Sequence, residues 1–375
     1  MTAVSFINKE RLISTFVDLI KINSPSFAEK EIGEFLAQRL VGMGFDVRFQ
    51  EYDKSFNLIA VKKGQQRGAP LMLSAHMDTI EPTAGIVFAI EKDRIRSTGD
   101  TVLGADDKSA LAQILEAATV LHENRISHGR IEIVFTSAEE RGLRGASNLD
   151  FASISSRHAL VLDSAGDVGN IVIGAPTHLR YKITVTGKSA HAGIEPEKGI
   201  SAIRVASEII TKLPDGRIDE DTTANVGIIT GGTATNVVPK EVIIRGELRS
   251  HNRKTLEAKK RMIFETAQRI SEKRQTRVAI SNDVEYQAFR ILKGESFLKF
   301  LKGVFIMCGI KPILKKTGGG SDANIFHKHG IMAINISNGM QNVHSPEEFI
   351  LIDDLYKGCA VVLQTVINFG MSSAK

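Results

Sequence analysis

Cysteine is scarce in this chain: two in 375 residues, Cys308 and Cys359. Both stand in apolar surroundings, so they read as small core residues of a reducing compartment rather than as a disulfide framework. No stretch approaches the roughly 20 apolar residues of a membrane span, so no membrane partner is expected. The N-terminal segment mixes Lys9, Glu10, Arg11 and Asp18 with Phe6, Ile7, Leu12, Ile13, Phe16 and Val17. That pattern fits an amphipathic helix and has no unbroken apolar leader, so a cytoplasmic location is expected. Charge of one sign is also short: the net charge is +5. The densest basic stretch, Arg249 to Arg277, is interrupted by acidic residues and reads as a solvated helix face, which excludes a dedicated nucleic-acid surface. Repeats and low-complexity segments are missing. The turn Gly318-Gly319-Gly320-Ser321-Asp322 lacks both a following GKS/T and a complete GxGxxG, so it is no nucleotide-binding loop.

A composition of 42% hydrophobic and 24% charged residues is that of an ordinary globular protein. The length exceeds what one core usually organises, which predicts two domains. Up to about residue 176, strand and helix patterns alternate, with helices expected over 8–21, 28–43 and 107–123. This α/β order predicts a mostly parallel sheet. The style changes near Gly174-Ala175-Pro176. Residues 177–286 then read strand, helix (199–212), strand, strand, helix (254–272), strand, which is the β-α-β-β-α-β ferredoxin-like order. From about 287 the first style returns, with helices over 294–308 and 353–369. The expectation is an α/β domain built from 1–176 and 287–375, with 177–286 inserted.

Four apolar runs end in side chains that can bind a metal. Leu71–Ala75 runs into His76, with Asp78 two residues on. Ile131–Phe135 leads to Glu139-Glu140, Ala159–Leu162 ends at Asp163, and Ile331–Ile336 precedes His344. In an open α/β sheet, ligands bind beyond the carboxyl ends of the strands, so these groups are aimed at one place. Metal-binding histidines need a partner on the second ring nitrogen, and Asp78 is near enough to supply one to His76. In Gly104-Ala105-Asp106-Asp107-Lys108, which opens a helix, two aspartates exceed what capping requires; one carboxylate held there can bridge two ions. A buried Glu139-Glu140 pair is expensive unless cations balance it, and two roles, metal binding and proton handling, account for it. Histidine and carboxylate donors together suit zinc, with Mn or Co also acceptable in so oxygen-rich a set.

In order and spacing, these five motifs resemble the zinc-dependent M20 metallopeptidases, nearest to the peptidase T (aminotripeptidase) branch and its shorter relatives. The resemblance covers essentially the whole chain. It implies two zinc ions per subunit: one on His76, Asp106 and Asp163, the other on Asp106, Glu140 and His344, with Asp106 bridging. It implies Asp78 orienting His76, Glu139 as general base, and a cis bond at Asp106–Asp107. The inserted segment becomes a lid and homodimerisation domain. There, His191 in Gly187-Lys188-Ser189-Ala190-His191-Ala192-Gly193 would meet the substrate across a dimer interface. Asn236 would touch the substrate, Arg249 would clamp a substrate carboxylate, and the turn at Gly319 would line the cleft. The chain is shorter than the best-known peptidase T proteins, and its turn reads Gly-Gly-Ser-Asp where theirs reads Gly-Gly-Thr-Asp. The implied activity is removal of the N-terminal residue from short peptides, foremost tripeptides. Other M20 amide hydrolysis (carboxypeptidase, dipeptidase, N-acyl amino acid deacylase) is the alternative, and a non-catalytic binding protein on this fold the remote one.

Overall fold

A computed structural model of the chain describes residues 3–372. It divides into two compact units: one formed by the residues up to Ile173, Ile291–Lys316 and Ser321 onward, the other by Gly174–Arg290 with Thr317–Gly320.

The first unit is built around four parallel strands in the order Ile131–Thr136, Leu71–His76, His158–Ser164, Met332–Ser337. The first two are buried along their whole length. Such strands are covered on both faces, which is why they appear in the sequence as unbroken apolar runs rather than alternating ones. The sheet is mixed, because antiparallel strands flank this centre. Asp46–Tyr52 and Ser55–Lys62 form a hairpin, and its second arm pairs antiparallel with Ile131–Thr136. Only Asp53 and Lys54 join the arms, and so short a link permits no parallel crossover. On the other side, Ile171 and Val172 pair antiparallel with Met332–Ser337.

The helix Ala105–Glu123 packs against the strand Leu71–His76 and against the helices Lys9–Lys21 and Ile352–Ser372. It is buried nearly all round, the expected state of a helix whose apolar residues occupy every face. A small antiparallel sheet in the order Met340–Gln341, Phe349–Leu351, Arg94–Ser97, Phe88–Ile90 completes the features that matter for the site. Its first two strands are the arms of a hairpin, and His344 sits in the loop between them.

The second unit is one antiparallel sheet, ordered Gly216–Asp219, Thr222–Gly231, Glu241–Ser250, Thr177–Thr186, Arg277–Tyr286. With the helices Ala202–Ile210 and Arg253–Lys273, it carries the β-α-β-β-α-β order plus one short extra edge strand. Leu179, Tyr181, Ile183 and Val185 alternate onto the helix-covered face, where they meet Val205, Ile209, Ile244, Leu248 and Ile263. A two-residue period with one covered face produces this alternation. Gly246 lies directly under Tyr181: a Cβ there would overlap the tyrosine ring and hydroxyl and come within 2.6 Å of the Asn225 carbonyl oxygen. Gly246→Ala is expected to destabilise this unit by about 1–3 kcal/mol. Chemical denaturation checks it, and an unchanged midpoint would contradict the packing described. Among the described residues, no helix is long and apolar enough to cross a membrane.

Candidate metal centre

The carboxyl ends of the four parallel strands deliver the site, all within the first unit. His76 is the last residue of its strand and Asp163 the penultimate residue of its own. Glu139 and Glu140 lie in a single 3-10 turn after Ile131–Thr136, entered through Ala138 at a φ of +46°. Asp106 stands at the start of the buried helix, just after Gly104, whose φ of +76° is one that a side chain would strain. The Asp106–Asp107 peptide bond is cis.

Asp106 is shared between the two histidines. Its Oδ1 lies 3.0 Å from His76 Nε2 and its Oδ2 lies 3.2 Å from His344 Nε2. His344 Nε2 also lies 2.8 Å from Glu140 Oε1. One ligating atom each from His76, Asp106 and Glu140 fall within 4.8 Å of one another. Asp163 stands beside this group without a hydrogen bond to it. Asn335 fixes its backbone: Asp163 N–H donates to Asn335 Oδ1 at 2.9 Å, and Asn335 Nδ2 donates to the Asp163 carbonyl at 2.6 Å.

Asp78 acts differently from the simple expectation. The Asp78 backbone carbonyl, not its carboxylate, lies 2.8 Å from His76 Nδ1, while the nearer carboxylate oxygen is 3.5 Å away. Nδ1–H donating to that carbonyl leaves Nε2 as the ring nitrogen able to accept a metal. The Asp78 carboxylate instead accepts from the backbone N–H groups of Glu139 (2.9 Å) and Glu140 (3.2 Å) and from the Ser26 hydroxyl (2.6 Å). It therefore organises the turn that carries both glutamates.

The electrostatics call for cations. Burial pushes Glu139 well above the usual carboxylate range, and the charges of Asp163, Glu140 and Asp322 push it further. Asp163 and Asp107 are raised well above theirs by burial and by neighbouring aspartates. Asp322 is raised to about 6 by burial, and its Oδ1 is buried without a partner among the described residues. Asp106 goes the other way: burial opposes ionisation, but hydrogen bonds from His344 and His76 hold its carboxyl low. The same contacts raise His344 to about 10, through Asp106 and then Glu140. The one lysine in the motif gives little relief. Lys108 is buried, its ammonium donates to the Ile22 carbonyl at 2.6 Å, and burial lowers it to about 7. Seven carboxyl groups (Asp78, Asp106, Asp107, Glu139, Glu140, Asp163 and Asp322) thus cluster with two imidazoles, Glu140 and Asp163 half-buried and His344 exposed at its edge. Divalent cations on this nitrogen-and-oxygen donor set fit it and would supply the missing positive charge.

The four candidate substrate residues belong to the second unit. His191 and Asn236 are neighbours there: His191 bridges to Val237, and Ala192 N–H donates to the Asn236 carbonyl at 2.9 Å. Gly193 N–H donates to His191 Nδ1 at 3.2 Å, so the neutral ring carries its proton on the exposed Nε2. Arg249 is engaged internally, with Glu247 at 2.9 Å, the Tyr286 hydroxyl at 3.2 Å and the Gly318 carbonyl at 3.4 Å. Gly319 lies two residues after Thr317, whose hydroxyl accepts its N–H at 3.1 Å.

Several supporting residues were not singled out in the sequence. Glu29 is buried and accepts from the N–H groups of Phe27 and Ala138, both at 2.9 Å, and from the Ser55 hydroxyl. It thereby holds the residue that precedes Glu139. Asn338 donates to Asp107 Oδ1 at 2.7 Å and to the Leu162 carbonyl at 2.8 Å, and Asp107 in turn accepts the His76 N–H at 3.2 Å. The available signal was an asparagine closing a buried strand, where an amide needs a partner.

Comparison with known proteins agrees with this architecture. Residues 173–275 match the family model described as the peptidase dimerisation domain, and residues 57–173 match peptidase family M28. A Fusobacterium nucleatum peptidase T is 30% identical over 96% of this chain and 88% of its own length. The crystal structure of an aminopeptidase PepT from Bacillus cereus superposes with a TM-score of 0.89 at 36% identity, covering 97% of this chain and 99% of that one. That of a tripeptidase from Staphylococcus aureus gives 0.93 at 31%, covering 98% and 100%. The chain therefore belongs to the M20 peptidases, as a peptidase T-like member of that family.

Proposed function

We propose that this M20 peptidase is a dinuclear zinc aminopeptidase that removes the N-terminal residue from short peptides, foremost tripeptides. The observation that carries the reading is the sharing of Asp106, one oxygen toward each histidine. His76, Asp106 and Asp163 would hold one ion, and Asp106, Glu140 and His344 the other; Mn or Co would suit the same oxygen-rich set. When bound, such a pair acidifies water and polarises a carbonyl. Glu139 takes the proton from the attacking water and delivers it to the departing amine, a role favoured by its raised proton affinity. Asp78 holds Glu139 and Glu140 in register through their backbone N–H groups. His191 presents Nε2–H as a donor to the substrate or the developing oxyanion, while Asn236, Arg249 and the Gly319 turn contact the peptide. The dimerisation-domain match supports a homodimer through residues 177–286, and the two free cysteines suit a cytoplasmic setting.

The test is a panel of free di- and tripeptides, N-acylated peptides and N-acyl amino acids, assayed with the zinc-supplied protein. Release of the N-terminal residue from free tripeptides is expected. Cleavage of N-blocked substrates alone would replace this reading with another M20 amide hydrolase. Asp78→Asn places an amide against backbone N–H groups. It is expected to lower kcat by about 10–100-fold with zinc content retained. Wild-type kcat in that variant would remove Asp78 from the machinery.

A further inference from the structure

The buried helix that carries Asp106 has no cap of its own. Gly104 has no side chain, and the Asp106 and Asp107 carboxylates point to other partners. The acceptor comes from 242 residues away. Glu348, only 1% exposed, accepts the Asp106 N–H on Oε1 at 3.0 Å and the Gly104 N–H on Oε2 at 2.8 Å. The same residue closes the His344 loop, because its own N–H donates to the Ser345 carbonyl at 3.1 Å. Its carbonyl accepts the Ser97 N–H, also at 3.1 Å, and the next residue, Phe349, pairs with Arg96 in the small sheet. One residue thus grips the turn bearing Asp106 with its side chain and the loop bearing His344 with its main chain.

We propose that Glu348 is a positioning residue that fixes the separation of Asp106 and His344, and so sets the affinity of the cation site those two residues share with Glu140. The inference rests on the metal-centre reading above. Without the carboxylate, the Asp106 turn and the His344 loop lose their common tether, and the site between them loosens while His76 and Asp163 keep their own supports. Partners of this kind alter metal affinity by about 10–100-fold.

The experiment is zinc titration of the whole protein by calorimetry, with the zinc dependence of tripeptide hydrolysis measured alongside. In Glu348→Ala, the second equivalent of zinc is expected to bind about 10–100-fold more weakly than in wild type. The first equivalent should be retained, and kcat should recover in excess zinc. Glu348→Gln keeps one acceptor oxygen and should fall between the two; it decides the matter if the alanine variant fails to fold. Glu116→Gln is the control: it weakens the Arg11 ion pair (2.7 Å) on the same helix and should leave zinc affinity unchanged. Wild-type zinc affinity in both Glu348 variants would overturn the proposal. So would an equal loss in Glu116→Gln at matched thermal stability, because Glu348 would then be only a helix cap. A wild-type protein that takes up no zinc would instead defeat the metal-centre reading itself, and this inference with it.

Discussion

Glu139→Gln is expected to lower kcat on a free tripeptide by about 10²–10⁴-fold, the usual weight of a positioned general acid–base. The Glu139 carboxyl makes no hydrogen bond among the described residues, so the substitution leaves the turn intact: the backbone N–H groups of Glu139 and Glu140 still reach Asp78. Zinc content should therefore stay at the wild-type level, and KM should change little. This combination separates proton handling from metal binding. Steady-state kinetics with metal analysis on the same sample checks it. Undiminished turnover in Glu139→Gln would dismiss Glu139 as the base, and loss of zinc would move it among the ligands.

Asp106→Asn is expected to act through the metals. An amide offers one acceptor oxygen where the carboxylate offers two, and its NH2 group would be turned toward one of the two histidines. At most one ion should remain tightly held. A metal's polarising effect is worth several kcal/mol of transition-state stabilisation, so activity should drop by on the order of 10³-fold or more. Excess zinc should not restore it, in contrast to Glu348→Ala, where the ligands survive and only their spacing is loosened. Two tightly bound zinc ions in Asp106→Asn would contradict the shared-carboxylate reading.

The parts of the centre that were legible in the sequence are those that follow from local pattern. His76 and Asp163 end buried strands, and a run of apolar residues closing on a His or Asp is visible at close range. The helix over 107–123 was equally visible and begins two residues earlier, at Ala105, because the turn through Asp106 and Asp107 merges with it. What could not be read depends on which distant segments meet. The sequence shows that Asp78 stands near His76. It does not say that the carbonyl serves the imidazole while the carboxylate serves a turn sixty residues on. Glu29 and Glu348 carry no local mark, and Asn338 shows only an amide closing a buried strand, because each serves backbone groups or side chains brought to it by tertiary packing. The hairpin Asp46–Tyr52/Ser55–Lys62 was also missed. Its outer strand is largely exposed, so it lacks the apolar runs that reveal the central strands.

The most direct test of the central claim is a crystal structure of the protein grown with zinc, with anomalous diffraction measured at the zinc edge. The account predicts two peaks flanking the Asp106 carboxylate: one also contacting His76 and Asp163, the other Glu140 and His344. A map with no peak beside Asp106, or with both peaks on other residues, would contradict it.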